Sequence, residues 1–113
     1  MIYTQREIYE YLCANPLGVT VPIGDVGALN GRDYIFLDYT SENAIPSDNK
    51  GDYQTYLQIT VATHNFDDRR TLTEYVKQYL PVSITFEKSL EVEYFVARCT
   101  CGILMHHDEP ISV

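Results

Sequence analysis

Residues 56–80 read YLQITVATHNFDDRRTLTEYVKQYL, and the hydrophobic period of the chain changes within this stretch. In the first half, Leu57, Ile59 and Val61 alternate with polar or small residues, which is the period of a strand with one buried face. In the second half the apolar residues recur at helical spacing, at Leu72, Tyr75, Val76, Tyr79 and Leu80. The stretch therefore predicts a half-buried strand that is followed directly by an amphipathic helix.

The ends of this predicted helix carry their own signals. Asp67 and Asp68 are placed to cap its free amides and to complement the positive end of the helix dipole. Pro81 has no amide hydrogen, and it disfavours helical geometry in the residue before it. We therefore expect the helix to begin at the aspartates and to end at the proline.

A second helix is predicted at the N-terminus, over residues 4–14. Thr4 can cap it, with Glu7 three residues later reaching back to the amide of the cap residue. Tyr3 and Ile8 are spaced as a hydrophobic staple across the start of the helix. An Asn-Pro pair follows, and because the residue before a proline avoids helical geometry, the helix should stop there.

Short strand-like runs complete the predicted domain. Residues 18–24 and 32–40 both alternate between apolar and polar side chains, and a glycine-containing turn separates them. Residues 82–105 divide near Lys88 into a short and a long run, which is typical of a hairpin. The predicted order is α-β-β-β-α-β-β. This describes one α+β domain over residues 1–113, in which two helices pack on a mixed, mainly antiparallel sheet of about five strands.

Two segments show no periodicity. Residues 41–52 are polar and contain Pro46 and Gly51, and they exceed the 4–6 residues or so of most connections. Such a segment cannot bury enough apolar area to offset the entropy lost on ordering, so we predict a long mobile loop. Residues 106–113 are predicted to form a loose C-terminal tail.

The charge balance bears on the choice of partners. The chain has 8 Lys and Arg against 16 Asp and Glu, a net charge of −8, which disfavours sequence-specific binding to nucleic acid. No signal-like segment and no run of about 18 apolar residues is present, so we expect neither secretion nor a membrane span. Three cysteines without a signal segment favour free thiols in a cytosolic setting.

The stretch RCTCGILMHHDEP, residues 98–110, concentrates groups that can bind zinc. Cys99 and Cys101 nevertheless share the apolar side of an alternating strand, where free cysteine behaves as a small buried hydrophobe. A single Cys-x-Cys pair also lacks a second cysteine pair, and His106 and His107 fall in the predicted tail. We therefore predict two core cysteines, no metal site and no cofactor.

A catalytic site is not expected either. His64 lies just before the Asp67 and Asp68 helix start, so an acid-base pair is conceivable, but capping already explains the aspartates. Neither a nucleophile elbow nor a phosphate-binding loop accompanies them. The ten tyrosines leave a question open: those on less apolar strand faces, Tyr34, Tyr56 and Tyr94, are covered either by a second layer or the N-terminal helix, or by a partner subunit.

In element order, the chain resembles the small neck proteins of long-tailed bacteriophages, most closely the tail-completion or tail-terminator group. In that group an alternating strand runs straight into an aspartate-started helix, and a hairpin closes the domain. The matching residues are Leu57 to Val61 and Asp67 to Leu80. The C-terminal HHDEPISV has no counterpart in the group.

The resemblance implies a structural protein without catalysis, located in the neck of the virion and, during assembly, in the host cytoplasm. Subunits form a ring, often a hexamer, that terminates the tail tube and joins it to the head connector, and DNA passes through the lumen. An acidic chain suits a lumen through which DNA slides. The loop residues expected to contact a neighbouring protein are Ser47, Asp48, Asn49 and Lys50, with Tyr39 and Tyr53 anchoring the two ends of the loop.

Other functions remain open at this point. Head-closure and minor capsid proteins have a similar size and are not separated from tail terminators by sequence pattern. A small cytosolic α+β binding or regulatory module is a different class of protein that fits the same composition. A metal- or thiol-dependent enzyme using Cys99, Cys101 and His106 is a third.

Overall fold

A single five-stranded sheet organises the structure, a computed structural model that describes residues 2–22, 31–44, 52–88 and 94–106. In chain order the elements are β1 (Ile2–Tyr3), α1 (Gln5–Cys13), β2 (Tyr34–Ala44), β3 (Asp52–Thr63), α2 (Phe66–Lys77), β4 (Ser83–Lys88) and β5 (Phe95–His106). The α+β class and the two helices are as predicted from the sequence.

The long strand β5 lies near the middle of the sheet. One of its edges pairs antiparallel with β3 along the whole strand, and β3 pairs antiparallel with β2. Its other edge is shared by two short strands: β4 pairs antiparallel with residues 95–100, and β1 pairs parallel with Leu104 and Met105. The sheet is therefore mixed and mainly antiparallel, as expected.

Where the sequence predicted a strand over residues 18–24, the described residues 18–22 form a loop with one parallel bridge, between Thr20 and Tyr34, and residues 23 and 24 lie outside the described residues. Asn15 is the physical reason. Its side-chain amide donates to the carbonyls of Leu12 and Val19, and its side-chain oxygen accepts from the backbone amides of Leu17 and Val19. These bonds hold the segment as a loop, although Val21 still packs into the core.

The strand β1 was not predicted, because two residues are too short to show a period. Tyr3 was assigned to a hydrophobic staple, and both Tyr3 and its staple partner Ile8 are indeed buried in the core. Tyr3 also pairs with Met105 of β5, so the residue that closes the start of α1 also ties the N-terminus to the sheet.

The helix caps confirm one prediction and correct another. Thr4 caps α1 by accepting from the amide of Glu7, as expected. At α2 the cap is Asn65, whose side chain accepts from the amides of Asp67 and Asp68, so the two aspartates occupy the first turn. Since Asn65 provides the cap, the aspartates do not cap the helix, and they complement the positive end of its dipole.

The core lies between the helices and one face of the sheet. Leu72, Val76 and Leu80 of the α2 region are fully or almost fully buried, as the helical period predicted. Helix α2 ends at Lys77 with Gln78 as its C-terminal cap, and Leu80 follows in the connection to β4. The buried residues that the sheet contributes to this core include Leu57, Ile59, Val61, Ala97, Cys99 and Cys101.

The loop predicted over residues 41–52 is wrong at both ends of its range, where the structure has strands. Residues 41–44 belong to β2 and Asp52 begins β3, with Ala44 paired to Tyr53 after a register shift between Tyr39 and Ser41. Residues 45–51 lie outside the described residues. His106, predicted to begin the tail, is instead the last residue of β5 and pairs with Asp52, and residues 107–113 lie outside the described residues.

The hairpin of β2 and β3 gives the molecule its length. A strand of twelve residues spans about 40 Å at roughly 3.3 Å per residue, and β3 has 12 residues in a molecule of 47 × 28 × 25 Å. Ala44 and Tyr53, the last pair of the hairpin before residue 45, therefore lie at one end of the sheet. The end of β3 and the start of β5, where Thr63 pairs with Phe95, lie at the opposite end.

Candidate interaction sites

Of the six residues predicted to contact a partner, the structure describes two. Ser47, Asp48, Asn49 and Lys50 lie outside the described residues. Tyr39 is half-buried and packs against the core, and Tyr53 is buried. The phenol oxygen of Tyr53 accepts a hydrogen bond from the side chain of Gln5, so Tyr53 attaches the hairpin to α1.

Tyr39 and Tyr53 do not bracket the loop as expected. Tyr39 pairs with Leu57 and Tyr53 pairs with Ala44, so β2 continues for five residues beyond Tyr39. The register shift next to Tyr39 is a β-bulge, which raises the local twist of a strand. Tyr39 thus belongs to the middle of the hairpin, and only Tyr53 lies close to the loop.

Four tyrosines form a stack between the two helices, here called the tyrosine stack: Tyr3, Tyr11, Tyr75 and Tyr79. The Tyr11 ring lies 4.2 Å from that of Tyr75 and 4.5 Å from that of Tyr79, both nearly parallel, and Tyr3 meets Tyr79 edge-on at 5.3 Å. Tyr11 and Tyr75 each donate their hydroxyl to the backbone carbonyl of the other. Burial raises the pKa of Tyr11, Tyr75 and Tyr79.

The tyrosine stack answers part of the question raised by the composition, since these rings join α1 to α2 within one chain. Tyr34 and Tyr94 also pack against each other, with ring centroids 5.9 Å apart. Tyr56 is different, because it lies on the sheet face opposite the helices and 46% of it is exposed. Of the three strand tyrosines in question, Tyr56 is the most exposed.

Cys99 and Cys101 are core residues, as predicted, and Cys13 is exposed. Burial, followed by the neighbouring Cys101, raises the pKa of Cys99 to about 12, and burial raises the pKa of Cys101 to about 11. Both side chains are therefore protonated at neutral pH. Because the thiolate is the nucleophile and the metal ligand, the burial of these two cysteines disfavours both roles.

The proposed metal ligands are separated by the sheet. Residues 99 and 101 face the helices, whereas His106, an even-numbered residue of the same strand, is on the opposite face and exposed. Within the described ranges, no group of three or more His, Cys, Asp or Glu is arranged to hold a metal ion.

His64 has a carboxylate partner that the sequence did not suggest. Its Nδ1 lies 2.6 Å from Oδ1 of Asp33, and its backbone amide donates to the same oxygen at 3.0 Å. The imidazole ring also packs on Tyr94 at 4.4 Å, and the hydroxyl of Tyr94 donates to the carbonyl of Arg32. These contacts connect the start of β2, the end of β3 and the start of β5.

The His64 and Asp33 pair can orient an imidazole, as the acid-base pairs of enzymes do. The helix-start aspartates Asp67 and Asp68, which the sequence placed nearest to His64, are not its partners; Asp67 instead pairs with Arg70 at 3.6 Å. Every contact of the His64 pair also joins strand ends, so the arrangement has a sufficient structural role. Its residues are separated by about thirty positions in sequence, which is why no local motif revealed it.

A second cluster surrounds Arg69 and is here called the Arg69 cluster. The guanidinium carbon of Arg69 lies 5.0 Å from the ring centre of Phe66, 4.7 Å from that of Phe86 and 5.6 Å from that of Phe95. Such cation–π contacts stabilise a desolvated arginine by about 0.5–2 kcal/mol each. Arg69 is only 9% exposed, whereas Phe66 is 52% and Phe86 is 55% exposed.

The hydrogen bonds of Arg69 use one of its nitrogens. Nη1 donates to the carbonyl of Glu87 at 3.2 Å and to the carbonyl of Val96 at 3.3 Å. Among the residues that the structure describes, no carboxylate lies within ion-pair distance of Arg69, and neither Nε nor Nη2 has an acceptor. Neither of these two nitrogens is fully buried.

Sequence reasoning missed this cluster. Arg69 falls on the buried side of α2. From sequence alone, however, an arginine in the charged first turns of a helix is expected to be solvated. Its aromatic partners are three, 17 and 26 positions away, on different elements. The period of α2 was the available signal, because Arg69 lies three residues before the buried Leu72.

None of the helices in the described ranges is long and apolar enough to span a membrane. Compared with known protein families and with curated proteins, the chain matches no family model and no curated sequence.

Proposed function

We propose that this chain is a structural protein of a phage or prophage neck. In this proposal it assembles with copies of itself into a ring, terminates the tail tube and joins the tail to the head connector. The resemblance in element order suggests it, and the elongated β2–β3 hairpin carries it. The ring acts by shape and contact, without chemistry.

The hairpin supports the proposal because residues 45–51 connect its two strands at the end of a long paired unit. The strands β2 and β3 pair from Tyr34 and Ala62 as far as Ala44 and Tyr53, so the connection 45–51 follows one end of a long paired unit. Tyr53 fixes that end of the hairpin to α1. A contact segment on a rigid hairpin loses less entropy on binding than one on a free chain.

An open edge of the sheet offers a way to join subunits. Within the described residues, the outer edge of β2 has one bridge, to Thr20, and no strand beside it. This edge and the loop end of the hairpin are two different surfaces of one subunit, which allows a head-to-tail contact that closes into a ring when the rotation between subunits permits. The net charge of −8 suits a lumen that does not retain DNA.

The test replaces residues 45–52 with a two-residue Asn-Gly turn between the paired residues Ala44 and Tyr53, which closes an antiparallel hairpin without further strain. Light scattering and negative-stain electron microscopy are applied to the wild type and the variant, alone and co-expressed with the genes adjacent to this one. The wild type is expected to form rings or to cap tail tubes. The shortened variant is expected to stay folded by circular dichroism and to do neither.

A matched control is Glu74→Ala, a change at an exposed residue of α2 whose pairing with Lys77 contributes little. It should assemble as the wild type does. A wild type that remains monomeric both alone and with its genomic neighbours would contradict the ring. A shortened variant that still assembles would remove the loop from the mechanism.

One feature favours a second candidate, the small α+β binding or regulatory module. Between β1 and β4 the edge of β5 is uncovered at residues 101–103, next to a groove of about 500 Å³ lined by residues that include Tyr3, Tyr79, Pro81 and Ile103. A cavity of this size is within the range of small-molecule sites. A ligand that binds there in a monomeric protein would favour the module over the ring.

A further inference from the structure

The Arg69 cluster has an unusual electrostatic arrangement. A guanidinium that is nine-tenths buried carries a full charge, yet its neighbours in the described structure are three phenylalanine rings and two carbonyls. Buried charges are normally paired with an opposite charge. The chain contains twice as many acidic as basic residues, so a carboxylate partner would have been readily available in sequence.

The nitrogens that remain are the ones that recognise carboxylates best. Nε and Nη2 lie on one side of the guanidinium and form a fork that matches the two oxygens of a carboxylate. Neither nitrogen is fully buried, and Nη1 on the other side is already bonded to the carbonyls of Glu87 and Val96. Nη1 thus holds the arginine in place, and Nε and Nη2 remain to bind a ligand.

The surroundings of the fork are apolar and lie beside an open strand. Phe66 and Phe86 are about half exposed, and Phe86 belongs to β4. In the described part of the chain, β4 pairs with β5 along one edge, and no strand lies against the other. An open edge supplies backbone donors and acceptors to an extended segment, and pockets beside it select alternate side chains.

We propose that the Arg69 cluster is a docking site for an extended segment of another protein, which adds as a strand to the outer edge of β4. One side chain of that segment is an aspartate or glutamate whose carboxylate binds Nε and Nη2 of Arg69. The side chains two positions before and after it are apolar and cover Phe66 and Phe86. In an extended strand these three side chains point to the same face.

The position of the cluster makes this site separate from the loop of the proposed neck function. Phe95 pairs with Thr63 and Phe66 follows shortly after, whereas the loop 45–51 leaves the sheet where Asp52 pairs with His106. The two sites are at opposite ends of β3. A protein using both would contact different neighbours at its two ends, and failure of either site leaves the other untouched.

The test follows the Nε–H resonance of Arg69 and the backbone amides of β4 in the full-length, nitrogen-15-labelled protein. The probe is a blocked heptapeptide in which valine, glutamate and valine alternate with four threonines. It is expected to shift the Arg69 signal and the β4 amides, with a dissociation constant below about 1 mM. The Arg69→Lys variant identifies the Arg69 signal and tests the fork, because lysine keeps the charge without it.

Three matched probes separate the contributions of the segment. A peptide with glutamine in place of glutamate should bind at least about tenfold more weakly, because the charge-assisted bonds are lost. A peptide N-methylated at alternate residues should also bind at least about tenfold more weakly, because it cannot pair with a strand edge. Inorganic phosphate should not compete at equal concentration, since it has no apolar groups to contact Phe66 and Phe86.

If Arg69→Lys does not fold, variants of the exposed phenylalanine rings still test the site. Phe66→Ala and Phe86→Ser alter half-exposed side chains, so both proteins are expected to fold and to bind the peptide several-fold more weakly. Tyr56→Ser, on the opposite face of the sheet, is the control and should bind as the wild type does.

Several outcomes would overturn the proposal. Equal binding of the glutamine peptide would show that the fork is not used. Equal binding of the N-methylated peptide would show that the strand edge is not used. A shift of the Arg69 signal in Glu91→Gln/Glu93→Gln without peptide would mean that a carboxylate of this chain occupies the fork. A shift that depends on protein concentration alone would assign the site to a second copy, and equal competition by phosphate would make it a general anion site.

Discussion

The tyrosine stack and the Arg69 cluster are both built from aromatic rings, and they differ in what they leave unsatisfied. In the stack, the hydroxyls of Tyr3, Tyr11 and Tyr75 all donate to backbone carbonyls, and the rings lie against one another. In the Arg69 cluster, two rings are half exposed and two nitrogens of a buried arginine lack an acceptor among the described residues. The first arrangement completes the fold, whereas the second is suited to a partner.

The largest expected effect concerns the core beneath the tyrosine stack. The pKa of Cys99 is raised from 9.0 to about 12 and that of Cys101 from 9.0 to about 11, because burial disfavours their thiolates. Above about pH 9 the unfolded chain loses protons that the folded chain keeps, so the free energy of unfolding decreases as pH rises. Between pH 9 and 11 we expect a loss on the order of several kcal/mol, measured by urea titration.

The control for this experiment is Cys99→Ala/Cys101→Ala, which removes both thiols. Its stability at pH 8 will be lower, but its further loss between pH 9 and 11 should be clearly smaller than that of the wild type. Equal slopes for the two proteins would show that other groups, such as the tyrosines with raised pKa, dominate alkaline unfolding.

A matched pair of truncations compares the two aromatic regions directly. Tyr11→Ala removes a ring stacked on two others and should lower the free energy of unfolding by roughly 2–4 kcal/mol. Phe86→Ala removes a ring that is 55% exposed and should cost less than about 1 kcal/mol. Denaturant titrations of both variants measure the difference, and equal costs would contradict the contrast between a closed and an open cluster.

The reciprocal hydroxyl bonds of the tyrosine stack can be tested without removing rings. Tyr11→Phe and Tyr75→Phe each delete one hydrogen bond to a carbonyl and should cost about 1 kcal/mol. Because each bond joins the same pair of residues, the double variant should deviate from the sum of the single variants. Strict additivity in a thermodynamic cycle would indicate that the two bonds form independently.

The smallest expected effect belongs to Arg69→Met, which keeps the length of the side chain and removes its charge. Replacing a buried charged group by an apolar one of similar size is often neutral, so the free energy of unfolding should change by no more than about 1 kcal/mol. A loss of several kcal/mol would mean that Arg69 is kept for stability and would weaken its assignment to a docking site. Thermal unfolding with a urea titration measures it.

The sequence predicted the elements with a clear period. The alternation of Leu57, Ile59 and Val61 and the helical spacing of Leu72 and Val76 correspond to buried faces in the structure. The same reasoning placed Cys99 and Cys101 in the core. Such patterns are informative because burial on one face imposes a period on the chain itself.

Elements without a period were predicted less well. Residues 18–24 alternate like a strand, yet the side chain of Asn15 satisfies the backbone groups that a strand partner would have used. Residues 41–44 are polar and resemble a loop, yet they pair with β3, because hairpin hydrogen bonds form between backbones and tolerate polar side chains. In both places a specific backbone partner outweighed the local pattern.

By itself, the sequence determined the α+β class, both helices, the buried face of the long strands and the burial of two cysteines. Each of these follows from the hydrophobic period of a short segment or from a helix-capping residue. The tertiary structure alone decided which distant groups meet: His64 with Asp33, Tyr11 with Tyr75, and Arg69 with three phenylalanines. Those encounters depend on strand order and helix placement, which arise from packing the whole chain. A local sequence pattern does not predict these contacts, because they join residues far apart in the chain and form only once the chain has folded.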